Sequence, residues 1–186
     1  IDITKRLAEA GRQKDAGEKN VLDLDDATKI IGCYKALIKH GIDSGGSHMS
    51  RAVAFCRSIK SSELFTNEFK LVVDEYLSRY PEISDVTCEL DHVDGTMGST
   101  ERNNKLSWLK SETSDVCRIL SNARCLSEGV DVPSLDAVMF IHGRKSKVDI
   151  VQSVGRVMRR ADGKQTGYII LPVAIPAGSS ADDSLN

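Results

Sequence analysis

The chain has 186 residues, of which 40% are hydrophobic and 28% charged, and its formal net charge is -2. That length suits one domain with a single core, and no apolar run approaches the roughly 20 residues needed to span a bilayer. The basic residues near the start (Lys5, Arg6, Arg12, Lys14) are not followed by a signal-type apolar stretch, so a cytoplasmic location and no membrane partner are expected. A slightly acidic balance does not advertise a polyanion partner, so nucleic-acid binding has to rest on local clusters.

Residues 1–24 are polar and charged with little periodicity and are expected to be an arm from a preceding region. From Asp25 onward, Ala27, Ile30, Ile31, Tyr34, Leu37 and Ile38 recur at helical spacing, which predicts an amphipathic helix ending near Gly41. A loop-like stretch, GIDSGGSHMS, follows over 41–50. Beyond it, β-rich runs at 52–56, 86–93, 116–120, 137–141 and 167–171 predict five strands. Between them, 62–80, 99–110 and 147–160 carry the 3.6-residue period. This alternation predicts an α/β fold: right-handed crossovers, a mostly parallel central sheet and helices on both faces. In such a fold ligands gather at the carboxyl ends of the strands. One domain is expected over 25–176, followed by a disordered tail at 177–186 (AGSSADDSLN).

Five cysteines form no C-x-x-C pair, and Cys56, Cys88 and Cys117 sit in or beside apolar runs, so they read as reduced core residues. The four histidines are scattered, and no metal site is expected. Between His142 and Lys164 lie Arg144, Lys145, Lys147, Arg156, Arg159, Arg160 and Lys164 against Asp149 and Asp162. By charge alone this is a basic cluster or a solvated helix face.

The string QSVGRVMRR at 152–160 is more specific. At about 100° per residue, Gln152, Arg156 and Arg159 share a narrow arc, while Ile150, Val151, Val154, Val157 and Met158 cluster opposite. Two guanidiniums one turn apart suit a polyanion such as a triphosphate, since each planar fork donates bidentately and neither loses its charge. Gly155 flanks the arc, where a missing side chain lets another surface or a phosphate approach. The alternative is a plain amphipathic surface helix. The second string, VCRILSNARCLSEGVDVP at 116–133, runs from a buried strand into a small polar turn and sets Gly129 and Asp131 two residues apart before Pro133. An acid there can accept from ribose hydroxyls, or the string is a turn.

Together these strings resemble the second RecA-like domain of superfamily-two helicases and translocases, over about residues 50–172. RAVAFCRS at 51–58 resembles the motif four strand and turn. His92-Val93-Asp94-Gly95-Thr96, with Arg102 and Leu106, resembles motif four-a. Residues 122–133 resemble motif five, and 152–159 resemble motif six, Q-x-x-G-R-x-x-R. The chain departs from the pattern at Ala123, where a Thr or Ser commonly touches the nucleic-acid backbone. The flanks Ile31-Gly32-Cys33, 51–56, 121–133, 148–160 and GYIILPVAIP at 167–176 resemble the large bacterial helicase proteins related to single-chain restriction-modification translocases.

The resemblance implies a RecA-like three-layer fold and an ATP-dependent DNA helicase or translocase. Arg159 and Arg156 would act as arginine fingers on the phosphates, Gln152 would bond the phosphates or the attacking water, and Gly129 and Asp131 would face the sugar. Nucleic acid, in the form of double-stranded DNA, would meet Arg57, Ser58, Gly95, Thr96, Ser121, Asn122 and Arg124 mainly through loop amides and helix N-termini. The bland readings are that Ser58 and Ser99 cap helices and Gly95 serves a turn. The sequence has no G-x-x-x-x-G-K-[ST] loop and no D-E-x-[DH] string, so ATP and Mg²⁺ would be held by a partner N-terminal RecA-like domain of a longer protein, missing from this chain. This chain by itself is expected to be inactive. The alternative function is a non-catalytic nucleic-acid-binding or scaffolding module; retention of both motif six arginines argues against that decay.

Overall fold

The computed structural model of the chain describes residues 24–40, 48–84, 86–111, 115–123, 125, 135–142, 150–151, 154–155 and 166–172. The arm expected before Leu24 and the tail expected at 177–186 lie outside the described residues. The elements are α1 (Leu24–Leu37), β1 (Arg51–Phe55), α2 (Ile59–Arg79), β2 (Thr87–Val93), α3 (Ser99–Lys110), β3 (Val116–Asn122), β4 (Ala137–Phe140) and β5 (Tyr168–Ile170).

The strands form one sheet in the order β2-β3-β1-β4-β5, and every pairing is parallel. Alternation along each strand divides the core in two. Ala52, Ala54 and Cys56 face one side with Ile119, Ala137 and Met139, covered by Ile30, Tyr34 and Leu37 of α1 and Phe65, Phe69 and Val72 of α2. Val53, Phe55, Leu120 and Val138 face the other, covered by Leu106 and Leu109 of α3 and by Ile150 and Val154. The expected three layers are present, with the sheet buried on both faces.

Local chemistry sets where the elements begin and end. Helix α2 starts three residues before the expected Ser62, because Ser58 is its N-cap and accepts from the Ser61 amide at 3.1 Å. Ile59 and Lys60 are exposed, so hydrophobic periodicity says nothing about that first turn. In α3 the observed bounds match the expected 99–110, but the N-cap is Gly98 and makes no side-chain cap bond. Ser99 is the first helical residue and does not cap. The C-terminal carbonyls of α3 are met by Arg118, whose Nη1 donates to Trp108 O at 2.7 Å and whose guanidinium carbon lies 5.3 Å from the centre of the Trp108 ring. A cation at that end complements the helix dipole. Entry into β1 is fixed by Asp136, whose Oδ2 accepts from the amides of Ser50 and Arg51 at 2.8 and 3.0 Å.

Cys33, Cys56, Cys88 and Cys117 are buried and unbridged, as core cysteines should be. Burial pushes the Cys33 thiol up to about 12, with Cys56 adding to the effect, so it stays protonated and unreactive.

Candidate nucleotide and nucleic-acid interface

Strand register brings together the strand ends that lead into motifs four, four-a and five. Val93, Asn122, Phe55 and Phe140 form one row across four neighbouring strands, so the segments that follow β2, β3, β1 and β4 leave the carboxyl edge of the sheet side by side. Arg57 and Ser58 follow β1, and Gly95 and Thr96 follow β2; all four are exposed. The N-terminus of the 21-residue helix α2 opens at this edge, adding first-turn amides and the positive end of a helix dipole. Gly95 lies in a turn, and Ser58 already serves as a cap, a structural role in addition to any contact with a ligand.

Ser121 and Asn122 sit differently from the expected polar turn. Strand β3 continues two residues beyond Leu120, and both side chains are fully buried. Asn122 ties β3 to β1: its Nδ2 donates to Ala54 O at 3.0 Å, and its own carbonyl accepts from the Cys56 amide at 2.8 Å. Among the described residues the Asn122 Oδ1 acceptor has no partner. In this conformation neither side chain reaches the surface. These two residues shape the edge instead of touching a ligand through their side chains.

Sequence reasoning missed the polar chain beneath this edge. Ser62 Oγ lies 2.8 Å from His92 Nδ1 and 2.7 Å from Ser121 Oγ, and Thr66 Oγ1 lies 2.6 Å from Ser121 Oγ. On its other side, His92 Nε2 is 3.0 Å from Asp94 Oδ2. Asp94 Oδ1 accepts from both the amide and the hydroxyl of Thr96 at 2.6 Å. The available signal was polar residues at core positions: Ser62 shares a face with Phe65 and Phe69, and His92 alternates in phase with Cys88 and Leu90.

Asp94 is 4% exposed. The Thr96 hydroxyl holds its carboxyl below the usual carboxylate range; burial opposes that shift, while the Thr96 amide and then His92 reinforce it. A depressed pKa means stabilisation that is fully present above the unfolded value, about 3.9, and is lost as pH falls through the folded value. Asp94→Asn should therefore lower the unfolding free energy by about 1.5–3 kcal/mol at neutral pH, the worth of hydrogen bonds to a charged group. Urea titrations of both proteins should show that difference shrinking as the pH drops below about 4. A difference that stays constant across that range would remove the carboxylate from the explanation.

Residues 150–151 and 154–155 are helical. Ile150 and Val154 pack against the α3-side core, and Gly155 is exposed. Among the described residues, a Cβ placed on Gly95 or Gly155 would meet nothing within 4 Å, and neither backbone lies in the left-handed region. Nothing among the described residues requires glycine at either position. Gln152, Arg156, Arg159, Gly129, Asp131 and Arg124 lie outside the described residues. No helix among the described residues is long and apolar enough to cross a membrane.

A parallel five-stranded sheet covered on both faces, with the ends of the strands that lead into motifs four, four-a and five side by side at its carboxyl edge, defines a RecA-like domain of the helicase type. The chain belongs to the family of the helicase conserved C-terminal domain, whose model matches residues 33–161. It is similar over 95% of its length to a chain of the structure described as ATP-dependent Type ISP restriction-modification enzyme LlaBIII bound to DNA, with 38% identity and a TM-score of 0.75. That agrees with the resemblance to large restriction-type helicase proteins. It is also 36% identical over 70 residues, 38% of this chain, to a protein described as a helicase in Sulfolobus islandicus filamentous virus (isolate Iceland/Hveragerdi). The chain spans 12% of the length of each of these two relatives. The structure of DEAD-box helicase Mss116p domain 2 bound to an RNA duplex shares the fold, with a TM-score of 0.51 and 17% identity over 80% of this chain and 50% of that one.

Proposed function

We propose that this chain is the second motor domain of an ATP-dependent DNA helicase or translocase and closes onto nucleotide held mainly by another RecA-like domain. The observation that supports this reading is the Q-x-x-G-R-x-x-R string at 152–159, of which Val154 and Gly155 are helical, with Ile150 and Val154 packed inward and Gly155 exposed. By helical spacing, Gln152, Arg156 and Arg159 belong to the arc opposite Ile150 and Val154. Gly155 is exposed, and no described residue would meet a Cβ there, which fits a ligand or domain that approaches from outside.

When bound, ATP supplies the phosphoryl group to be transferred, and Mg²⁺ belongs to the other domain because this sequence lacks the acidic string that holds it. Arg159 and Arg156 neutralise charge on the phosphates from across the interdomain cleft. Gln152 bonds the phosphates or orients the attacking water, and Gly129 and Asp131 face the sugar. The DNA track crosses the neighbouring carboxyl edge. There Arg57, Ser58, Gly95 and Thr96, exposed beside the N-terminus of α2 and in the turn after β2, meet its phosphates, as does Arg124 just beyond the buried Ser121 and Asn122, without reading sequence. The DNA-bound restriction-modification relative supports that choice of track. The motor unit comprises residues 25–176 and works in the cytoplasm.

DNA-stimulated ATP hydrolysis by the full-length protein tests this reading, and hydrolysis indifferent to DNA would contradict it. Within that assay, Asp131→Ala should raise the Michaelis constant for ATP more than it lowers turnover, since a ribose contact is made in ground and transition states alike. A pure turnover defect would reassign Asp131 to coupling between the domains.

A further inference from the structure

We infer that His92 is a positioning residue for the track-binding loops: held between Ser62 and Asp94, it locks Thr96 to the first turns of α2 and the end of β3. The inference rests on the reading of Gly95 and Thr96 as track contacts.

The chain of bonds is serial. Register places His92 opposite Ser121 on the neighbouring strand, and Ser62, itself fully buried, bridges the two from α2. One proton arrangement satisfies every link: the Ser62 hydroxyl donates to Nδ1, Nε2–H donates to Asp94 Oδ2, and Thr96 donates twice to Oδ1. Among the described residues, His92 thus bridges the body of the domain and the carboxylate that shapes the 94–96 turn. Burying such groups is costly unless each bond is made, and apolar side chains would fill a core without that cost. What the polar chain adds is a fixed geometry for an exposed loop. Thr96 is exposed at one end, and α2, capped by Ser58, anchors the other. A loop already locked loses less freedom when it grips a phosphate than one that must be ordered by binding.

Two near-isosteric substitutions separate the links, because a Gln amide sits near the position of Nε2 and an Asn amide near that of Nδ1. His92→Gln keeps the bond to Asp94, whereas His92→Asn keeps only the side facing Ser62. In the full-length protein without nucleotide, His92→Asn should weaken binding of a mixed-sequence DNA duplex about tenfold, while His92→Gln stays within about twofold. His92→Asn should raise the DNA concentration that half-saturates ATPase stimulation and leave DNA-free hydrolysis unchanged. Thr96→Ala should weaken DNA similarly, and the double variant H92N/T96A should be no worse than either single one, since both act through one contact. Equal losses for Gln and Asn, or additive losses in the double variant, would make His92 a merely structural residue and overturn the inference. Should His92→Asn fail to fold, amide exchange in the unmutated protein decides. The Thr96 amide, on an exposed residue, should exchange at least about tenfold more slowly than an unprotected one, and unprotected exchange overturns the lock. If Thr96→Ala binds DNA normally, the track contact itself fails and takes the inference with it. If Thr96→Ala weakens binding while His92→Asn does not, the inference alone fails.

Discussion

Arg159→Ala in the full-length protein should slow DNA-stimulated ATP hydrolysis by about 10³- to 10⁵-fold, equivalent to about 4–7 kcal/mol of transition-state stabilisation. The size of the effect follows from where the charge is used. A guanidinium that meets the phosphates only when two domains close contributes to the transition state and little to the resting complex. DNA affinity without nucleotide should therefore barely change. Arg159→Lys should recover little, because one ammonium on a flexible stem cannot reproduce a planar fork with five donors. An arginine that bound DNA instead would show weaker, less salt-sensitive DNA binding, and a structural one would lower the melting temperature. ATPase, DNA affinity against salt and thermal melting on both variants separate these outcomes. Near-normal stimulated hydrolysis in Arg159→Ala would end the arginine-finger assignment.

Much of the architecture was legible because it depends on local periodicity. Helix α3 matched its expected bounds, and each of the five expected strands overlaps an observed one. Periodicity failed where polar chemistry took over. The first turn of α2 is exposed and is specified by the Ser58 cap, and β3 runs on to Asn122 because its last side chains are buried by hydrogen bonding, not by apolar packing. The Ser62, His92 and Ser121 cluster joins residues up to 59 apart in sequence. It exists because β2 and β3 pair with His92 opposite Ser121, a register no local window contains. The proposed chemistry rests on the sequence alone: Gln152, Arg156 and Arg159 form a string with helical spacing, Asp131 stands two residues before Pro133, and all four lie outside the described residues.

The claim that this domain is one half of a motor is tested most directly by steady-state ATP hydrolysis of the 186-residue chain alone, with Mg²⁺ and duplex DNA present. The sequence contains the arginine string but no glycine-rich loop to cradle the phosphates and no acidic string to hold the metal. Arginines that act from across a cleft have nothing to act on without the opposite wall. The expected result is turnover indistinguishable from buffer, with only weak nucleotide binding. Appreciable hydrolysis by a contaminant-free preparation, abolished by a substitution within this chain, would contradict it.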